Sequence, residues 1–222
     1  MYVLWEVNNG PWQGPVPFGS AVFPEDARVP VALAKQSDNQ LTAMAVGKDE
    51  RLHVAWVIGN GSWQGPVGFG NPDFRRAEGT FGGTGVALAR QNDNQLTAMA
   101  VGKDGRLRVA WEVNNGPWQG PVPFGAAVFE PGVRVALAKQ NSNQLTAMAV
   151  GKDGRLHVAW EINNGPWQGP VPFGNPDFSN RVGVGLALQN SNQLTAMAVG
   201  KDGRLHVAWE VNNGPWQGPV LV

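Results

Sequence analysis

A unit of about 50 residues recurs along this chain, and a period of that length is typical of repeat folds in which each unit forms one supersecondary element. The most regular part begins at Gln95 with Gln-Leu-Thr-Ala-Met-Ala-Val-Gly-Lys-Asp-Gly-Arg-Leu. It returns from Gln144 and Gln193, and from Gln40 with Glu50 in place of the second glycine. Five copies of a tryptophan-rich half exist, but only four of this half. The chain therefore holds four and a half units.

We predict a single repeat domain over residues 1–222. It divides into a half repeat over 1–19 and full repeats over about 20–70, 71–125, 126–174 and 175–222. The chain has no cysteine, so its stability must come from packing rather than from disulfides.

Each full unit contains four strand-like runs separated by turn residues. The first is a Val-Ala-Leu-Ala run and the second is Leu-Thr-Ala-Met-Ala-Val. Lys-Asp-Gly-Arg then forms a tight hairpin, because Asp-Gly suits the positive φ angles of such turns. The third run alternates, with Trp111 on one face and Glu112 on the other. In the fourth run Pro121 and Pro123 cannot donate to a ladder, so this strand should lie at a sheet edge.

Four antiparallel strands per repeated unit are the pattern of a β-propeller, so the predicted fold is an all-β propeller of four-stranded blades. A β-trefoil or a β-prism is the alternative. The half repeat raises the question of closure, since an unpaired edge invites pairing with another chain. Either the chain closes as a five-bladed ring with one incomplete blade, or chains share blades in an oligomer such as a dimer.

Charge and hydropathy exclude several partners. Lys plus Arg equals Asp plus Glu at 17 each, so clustered cations for a nucleic-acid backbone are not expected. No apolar run reaches the roughly 18 residues of a membrane helix, and no signal peptide is visible at the N-terminus. We therefore expect no membrane insertion, with cytoplasmic residence and non-classical secretion both open.

The sequence Leu-Thr-Ala-Met-Ala-Val-Gly-Lys-Asp-Gly-Arg-Leu-His-Val-Ala-Trp-Glu, followed by Gly-Pro-Trp-Gln-Gly-Pro-Val, resembles the blade of tectonin-like and fucose-binding bacterial propeller lectins. The resemblance covers every repeat and implies sugar binding at repeated sites between or at the edges of blades. The repeat count, the proline-rich fourth strand and the near-identity of the repeats depart from those lectins.

Two tryptophans per unit are candidate sugar platforms, because an indole offers a flat apolar face and one N–H donor. The first one shares a face with leucine and valine and is interpreted as core between blades. The second lies between glycine and proline turns, where ligand contact and core packing suit it equally. The candidates for ligand contact are Trp12, Trp63, Trp118, Trp167 and Trp216.

Polar residues recur near these tryptophans. The candidates for hydroxyl binding are glutamates and the residues at one position of the third run, namely Glu6, Glu112, Glu161, Glu210, His53, Arg108, His157 and His206. Surface ion pairs or a solvated face would explain them as well. Val57, Gly59 and Ser62 show that one copy has drifted. No metal or other cofactor is expected, because the repeat position that carries histidine varies and calcium-loop spacing is absent.

The sequence thus predicts a multivalent carbohydrate-binding lectin with one shallow site per repeat and glycans or glycoconjugates as partners. An enzyme is not expected, because every polar feature is repeated instead of being concentrated in one pocket. The alternatives are a protein-interaction scaffold and a consensus repeat chain without a ligand.

Overall fold

The computed structural model describes residues 1–6, 8–25, 28–75, 83–180 and 182–222, and the regular structure within these ranges is all β. Eighteen strands form one two-stranded sheet and four four-stranded sheets. The two-stranded sheet, the half-blade, consists of β1 (Tyr2–Trp5) and β2 (Gln13–Pro17). None of the described residues forms a helix of the length and apolarity that crossing a membrane requires.

Each four-stranded sheet is an antiparallel meander of consecutive strands, and we number these blades one to four in chain order. Blade one contains β3 (Ala32–Ser37), β4 (Gln40–Val46), β5 (Leu52–Ile58) and β6 (Gln64–Phe69). Blade two contains β7 (Val86–Asn92), β8 (Gln95–Val101), β9 (Leu107–Val113) and β10 (Gln119–Phe124). Blade three contains β11 (Ala136–Asn141), β12 (Gln144–Val150), β13 (Leu156–Ile162) and β14 (Gln168–Phe173), and blade four contains β15 (Val184–Asn190), β16 (Gln193–Val199), β17 (Leu205–Val211) and β18 (Gln217–Leu221).

The hairpins and edges follow from local sequence. Gly105 in the Lys-Asp-Gly-Arg turn has a φ of 75°, and Glu50 takes a φ of 65° at the equivalent position of blade one. This hairpin aligns β8 with β9 so that Ala98 faces Ala110. The proline-bearing fourth strand pairs on one side only, as β10 does with β9. The predicted hairpin and the predicted edge strand are both confirmed.

The core lies between blades, not within them. The first strands of successive blades, β3, β7, β11 and β15, lie side by side. At the junction of blades two and three, Met99 and Leu107 pack against Ala147 and Ala159, together with the fully buried Phe129 of the connecting segment. Bulky side chains of one blade therefore press on alanines of the next, which fixes how closely the blades approach.

The row of successive blades, called here the arc, ends in an exposed sheet face on blade four. Met197 is 43% exposed, whereas Met148, its equivalent on blade three, is 1% exposed because blade four covers it. In the described part of the chain, β15 packs beside β11 but not beside β3. The predicted propeller of four-stranded blades is confirmed, and both modes of ring closure stay predictions.

Candidate functional site

Each of the three junctions between full blades carries a cleft that both blades build. The volumes are about 380, 470 and 410 Å³ for junctions one–two, two–three and three–four, within the ~300–1,000 Å³ range typical of ligand sites. The earlier blade contributes two aromatic side chains, a threonine and glutamine. The later blade contributes its Glu-x-Asn-Asn-Gly-Pro-Trp sequence, called here the Glu–Trp segment, which spans residues 112–118, 161–167 and 210–216.

Aromatic rings form the wall of each cleft. At junction two–three, Trp111 and Phe124 come from blade two and Trp167 comes from blade three. The rings of Phe124 and Trp167 lie 5.5 Å apart at 30°, a contact that holds the indole in place while leaving it half-buried. The same pair recurs at the other two junctions, as Phe69–Trp118 and Phe173–Trp216.

A buried hydrogen-bond network forms the polar side of the cleft. Thr97 Oγ1 and Gln95 Nε2 donate to Gln91 Oε1, at 2.7 and 2.8 Å, within blade two. Gln91 Nε2 then donates across the junction to Glu161 Oε2 and Asn164 Oδ1, both at 2.5 Å. The Gln91 amide thus accepts two hydrogen bonds within its own blade and donates two to the next blade, so it links the two blades. Gln36 and Gln140 make the equivalent bonds at the other junctions.

The glutamate of this network is buried, and burial changes the pKa of its carboxyl group. Burial raises the pKa of Glu161 above its ordinary value of 4.5, even though the backbone N–H groups of Asn164 and Gly165 and the Gln91 side chain hydrogen-bond to the carboxylate. Burial raises the pKa of Glu112 and Glu210 in the same way. Oε1 of Glu161 accepts no hydrogen bond among the described residues.

The local backbone explains why glutamate and tryptophan stay together. Asn163 and Asn164 have φ angles of 56° and 57°, a left-handed conformation that asparagine tolerates better than most residues. This turn points the backbone N–H groups back to Glu161 and delivers Trp167 to the opposite wall. The Glu–Trp segment is thus a compact turn that carries a polar side chain, glutamate, at its start and an aromatic one, tryptophan, at its end.

The structure brings several of the predicted site residues together. The clefts are lined by the second tryptophans and the glutamates of blades two, three and four, namely Trp118, Trp167, Trp216, Glu112, Glu161 and Glu210. Trp63 lies instead at the junction with the half-blade, where it contacts Phe18 at 5.2 Å between ring centroids. Trp12 and Glu6 belong to the half-blade and are exposed.

The third-run position lies away from these clefts. His157 Nε2 is 3.0 Å from Asp153 Oδ1, and the ring packs edge-on against Phe129. His53 and His206 have equivalent partners in Asp49 and Asp202. Arg108 replaces histidine in blade two and bridges Asp73 and Asp104, each at 3.0 Å. Among the described residues no group of acidic, histidine or cysteine side chains is arranged to hold a metal.

Sequence reasoning missed the earlier blade's half of each cleft. The sequence alone assigns no role to Gln91, Thr97 or Phe124, and it predicts a core position for the first tryptophan, Trp111. Trp111 does pack against the core, but it also lines the cleft. The available signal was recurrence, because a glutamine closes the first strand and a threonine sits in the second strand of every full repeat.

Comparison with known proteins identifies several that share this architecture. The BP39L lectin from Burkholderia pseudomallei superimposes on the whole chain with a TM-score of 0.90 and 37% sequence identity. The chain is thus similar over its whole length to a bacterial lectin. It spans 62% of the BP39L chain, so less than two thirds of that relative. No protein-family model and no curated protein sequence matches it.

More distant structures share the fold alone. The lectin of the fungus Aleuria aurantia, a six-bladed β-propeller with a described mode of fucose recognition, matches 91% of the chain and 66% of its own length with a TM-score of 0.59 and 13% identity. The catalytic domain of an α-L-arabinofuranosidase from Coprinopsis cinerea matches 90% of the chain and 72% of its own length, with a TM-score of 0.50 and 14% identity. The fold therefore serves both lectins and an enzyme.

Proposed function

We propose that this chain is a multivalent carbohydrate-binding protein whose sites are the clefts between full blades. The observation that carries the proposal is the repetition of one composite cleft, with two tryptophans and a phenylalanine beside a glutamine–threonine–glutamate network, at three junctions. The three-dimensional similarity to BP39L, which is a lectin, supports the same ligand class.

The chemistry of the cleft suits a sugar ring. A pyranose or furanose has an apolar face of C–H groups and a rim of hydroxyls, so it needs an aromatic platform with hydrogen-bonding groups nearby. At junction two–three, Trp167 supplies the platform, and the half-buried Gln95 and the exposed Asn164 supply amide groups at the rim. Glu161 lies deeper and holds the network that positions these groups.

Binding at one such cleft would be weak and would gain strength by repetition. Each cleft is open, so a bound sugar stays partly in water and buries limited area. Linked sites on one rigid arc bind a glycan surface together, and the effective concentration of the second site raises avidity by about 10²–10⁴-fold over a single site. A surface with many copies of the sugar is the favoured target.

The proposed role is binding without catalysis. A glycosidase needs a pair of carboxylates that flank the scissile bond. The cleft at junction two–three contains one carboxylate, Glu161, among its described lining residues, and that carboxylate is engaged by Gln91. The same composition recurs at the other junctions, whereas a catalytic site is usually unique within a domain.

Isothermal titration with sugars selected on a glycan array tests the proposal. We expect millimolar to micromolar affinity, several equivalent sites per chain and a change in tryptophan fluorescence on binding. Absence of binding to every sugar on the array, with unchanged fluorescence, would overturn the proposal. Binding of a single protein partner in one-to-one ratio without sugar would favour an interaction scaffold instead.

A further inference from the structure

Each of the three clefts carries one negative charge and no positive charge among its described lining residues. The charged residue of the lining is Glu112, Glu161 or Glu210 in turn, and the lining contains no lysine, arginine or histidine. A ligand therefore enters a site that is negative. We propose that the clefts select sugars that carry a free ammonium group over neutral and acidic sugars. This selectivity rests on the proposed function, because it names the class of sugar that the same clefts take.

The carboxylate of the cleft is only partly satisfied by the protein. Glu161 is 3% exposed, and its Oε1 accepts no hydrogen bond among the described residues. Oε1 of Glu112 is unpartnered in the same way. Burial raises the pKa of Glu161, and this effect is opposed by hydrogen bonds but by no cation. Because Oε1 is shielded from solvent, the attraction acts through the wall of the cleft and needs no direct hydrogen bond to the ligand.

Basic residues at the same end of the blades lie outside the lining of the clefts. Lys35 Nζ is 3.0 Å from Asp38 Oδ1, and Arg90 Nη2 is 3.0 Å from Asp93 Oδ1, so each cation pairs with an aspartate of its own turn. Lys139 is exposed and is also outside the lining. Within the described lining, nothing neutralises the charge of the glutamate.

The aromatic walls favour the same class of ligand. Trp111 and Trp167 line the cleft at junction two–three, and the electron-rich face of an indole attracts a cation. The indole of Trp167 is half-buried beside Phe124 and keeps part of its surface open. An amino sugar offers its C–H face and its cationic group to these walls. An acidic sugar would instead be repelled by both the rings and Glu161.

Titration with matched sugars near neutral pH tests the role of the charge. Glucosamine and galactosamine are each compared with the neutral parent sugar, the N-acetyl form and the uronate. The amino sugars should bind about tenfold more tightly than their parents, because charges a few ångströms apart near a protein surface attract strongly. The N-acetyl forms keep the nitrogen without its charge and should show no such gain, and the uronates should bind more weakly than the parents. Added salt should weaken the binding of the amino sugars and leave that of the parents unchanged.

Removal of the three carboxylates tests their part in the selectivity. Glu112→Gln, Glu161→Gln and Glu210→Gln, combined in one chain, keep an acceptor oxygen for each glutamine of the earlier blade. The preference for glucosamine over glucose should fall from about tenfold to none. Asp38→Asn with Asp93→Asn is the matched control, because it removes carboxylates that are 94% and 96% exposed and lie outside the lining. This control should keep the wild-type preference, and urea unfolding shows whether both variants are folded.

A neutral sugar that binds as tightly as either amino sugar would overturn the selectivity and leave the proposed function standing. An unchanged preference in the glutamine variant would also overturn it, since the carboxylates would then not be the cause. If that variant does not fold, the comparison with N-acetyl sugars and the effect of salt on the wild type decide. Equal binding of tetramethylammonium would overturn the proposal as well, because the cleft would then take the cation without a sugar ring. If no sugar binds, whether charged or neutral, the proposed function itself fails.

Discussion

Nε2 of Gln140 donates to both carboxylate oxygens of Glu210, at 2.7 and 2.6 Å, across the junction between blades three and four. The two residues are 70 positions apart in the chain and both are buried. Because a buried hydrogen bond to a charged group contributes more than an exposed one, this pair should matter for how tightly neighbouring blades hold each other.

Replacement of Glu210 by alanine should lower the free energy of unfolding by about 1–3 kcal/mol, because Gln140 Nε2 keeps Asn213 Oδ1 but loses the carboxylate as an acceptor in a buried site. Glu210→Gln keeps one acceptor oxygen and should cost less. Urea denaturation followed by tryptophan fluorescence measures both. Glu25→Ala, in an exposed connecting position, is the control. An unchanged unfolding midpoint for Glu210→Ala would show that the bond is not a stabilising link.

Stability should fall as the pH rises through and above 4.5 because of Glu112, Glu161 and Glu210. Burial raises the pKa of each carboxyl above that value, so the folded chain holds these protons to higher pH than the unfolded chain does. Their contribution is therefore full below 4.5 and is lost as the pH passes the raised values. Thermal unfolding at a series of pH values should show this decline. It should flatten when all three are glutamine, and an equal decline in that variant would contradict the assignment.

The aspartates that face histidine change the pH dependence of stability in the opposite direction. Burial alone would raise the pKa of Asp49, but hydrogen bonds from His53 and from the Arg51 backbone hold it below the ordinary 3.8. Asp153 behaves in the same way beside His157. This contribution is present above 3.8 and is lost as the pH falls through the lowered values. Asp49→Asn with Asp153→Asn should therefore reduce the loss of stability below pH 3.8.

Trp167→Ala should remove one sugar site per chain and leave the others intact, because the indole is the platform of a single cleft. Sugar titration of the variant beside the wild type measures the loss as a reduced stoichiometry per chain at unchanged affinity. Trp63→Ala is a matched control, since it also loses a stacked phenylalanine but lies at the drifted junction. A variant of Trp167 with the full number of sites would contradict the assignment of the cleft.

His157→Ala should weaken the fold without changing the number of sugars bound. The imidazole contacts Asp153 and Phe129 and lies outside the lining of the cleft. Truncation of a large buried side chain to alanine costs about 2–5 kcal/mol of stability. Calorimetric unfolding and sugar titration are compared on the same sample. A stable variant that has lost a binding site would instead support the sequence-based prediction that this position contacts the sugar.

Glu50→Gly should stabilise the first hairpin. A residue with a side chain pays about 1–2 kcal/mol for the left-handed conformation, and Glu50 has a φ of 65°. Its ion pair with Lys103 joins two partly exposed side chains and is worth about 0–1 kcal/mol. The unfolding midpoint should therefore rise. Gly154→Ala at the equivalent turn of blade three should lower it, because a Cβ there would lie 2.8 Å from the Phe178 carbonyl oxygen.

Local sequence predicted the strands, the hairpins and the edge position of the fourth strand, because each depends on neighbours in the chain. It also placed Trp111 and Glu112 on opposite faces, and the structure puts them in different clefts. It did not separate His157 from Glu161, since both lie on one face of β13. The distinction depends on position along that strand relative to the neighbouring blade, whose Gln91 is 70 residues from Glu161. Alternation within one strand carries no information on such a distant partner.

Each of the three clefts described between full blades belongs to a junction and to no single blade. An isolated blade would keep its hairpins. Its tryptophan would lack the phenylalanine of the earlier blade, and its glutamine would lack the glutamate of the later blade. Duplication of one unit within the gene would add one junction and one complete cleft without any new mutation. Deletion of one unit would remove one cleft and leave the rest unchanged. The number of clefts can therefore change in whole steps by unequal recombination between near-identical units, with the chemistry of each cleft held constant.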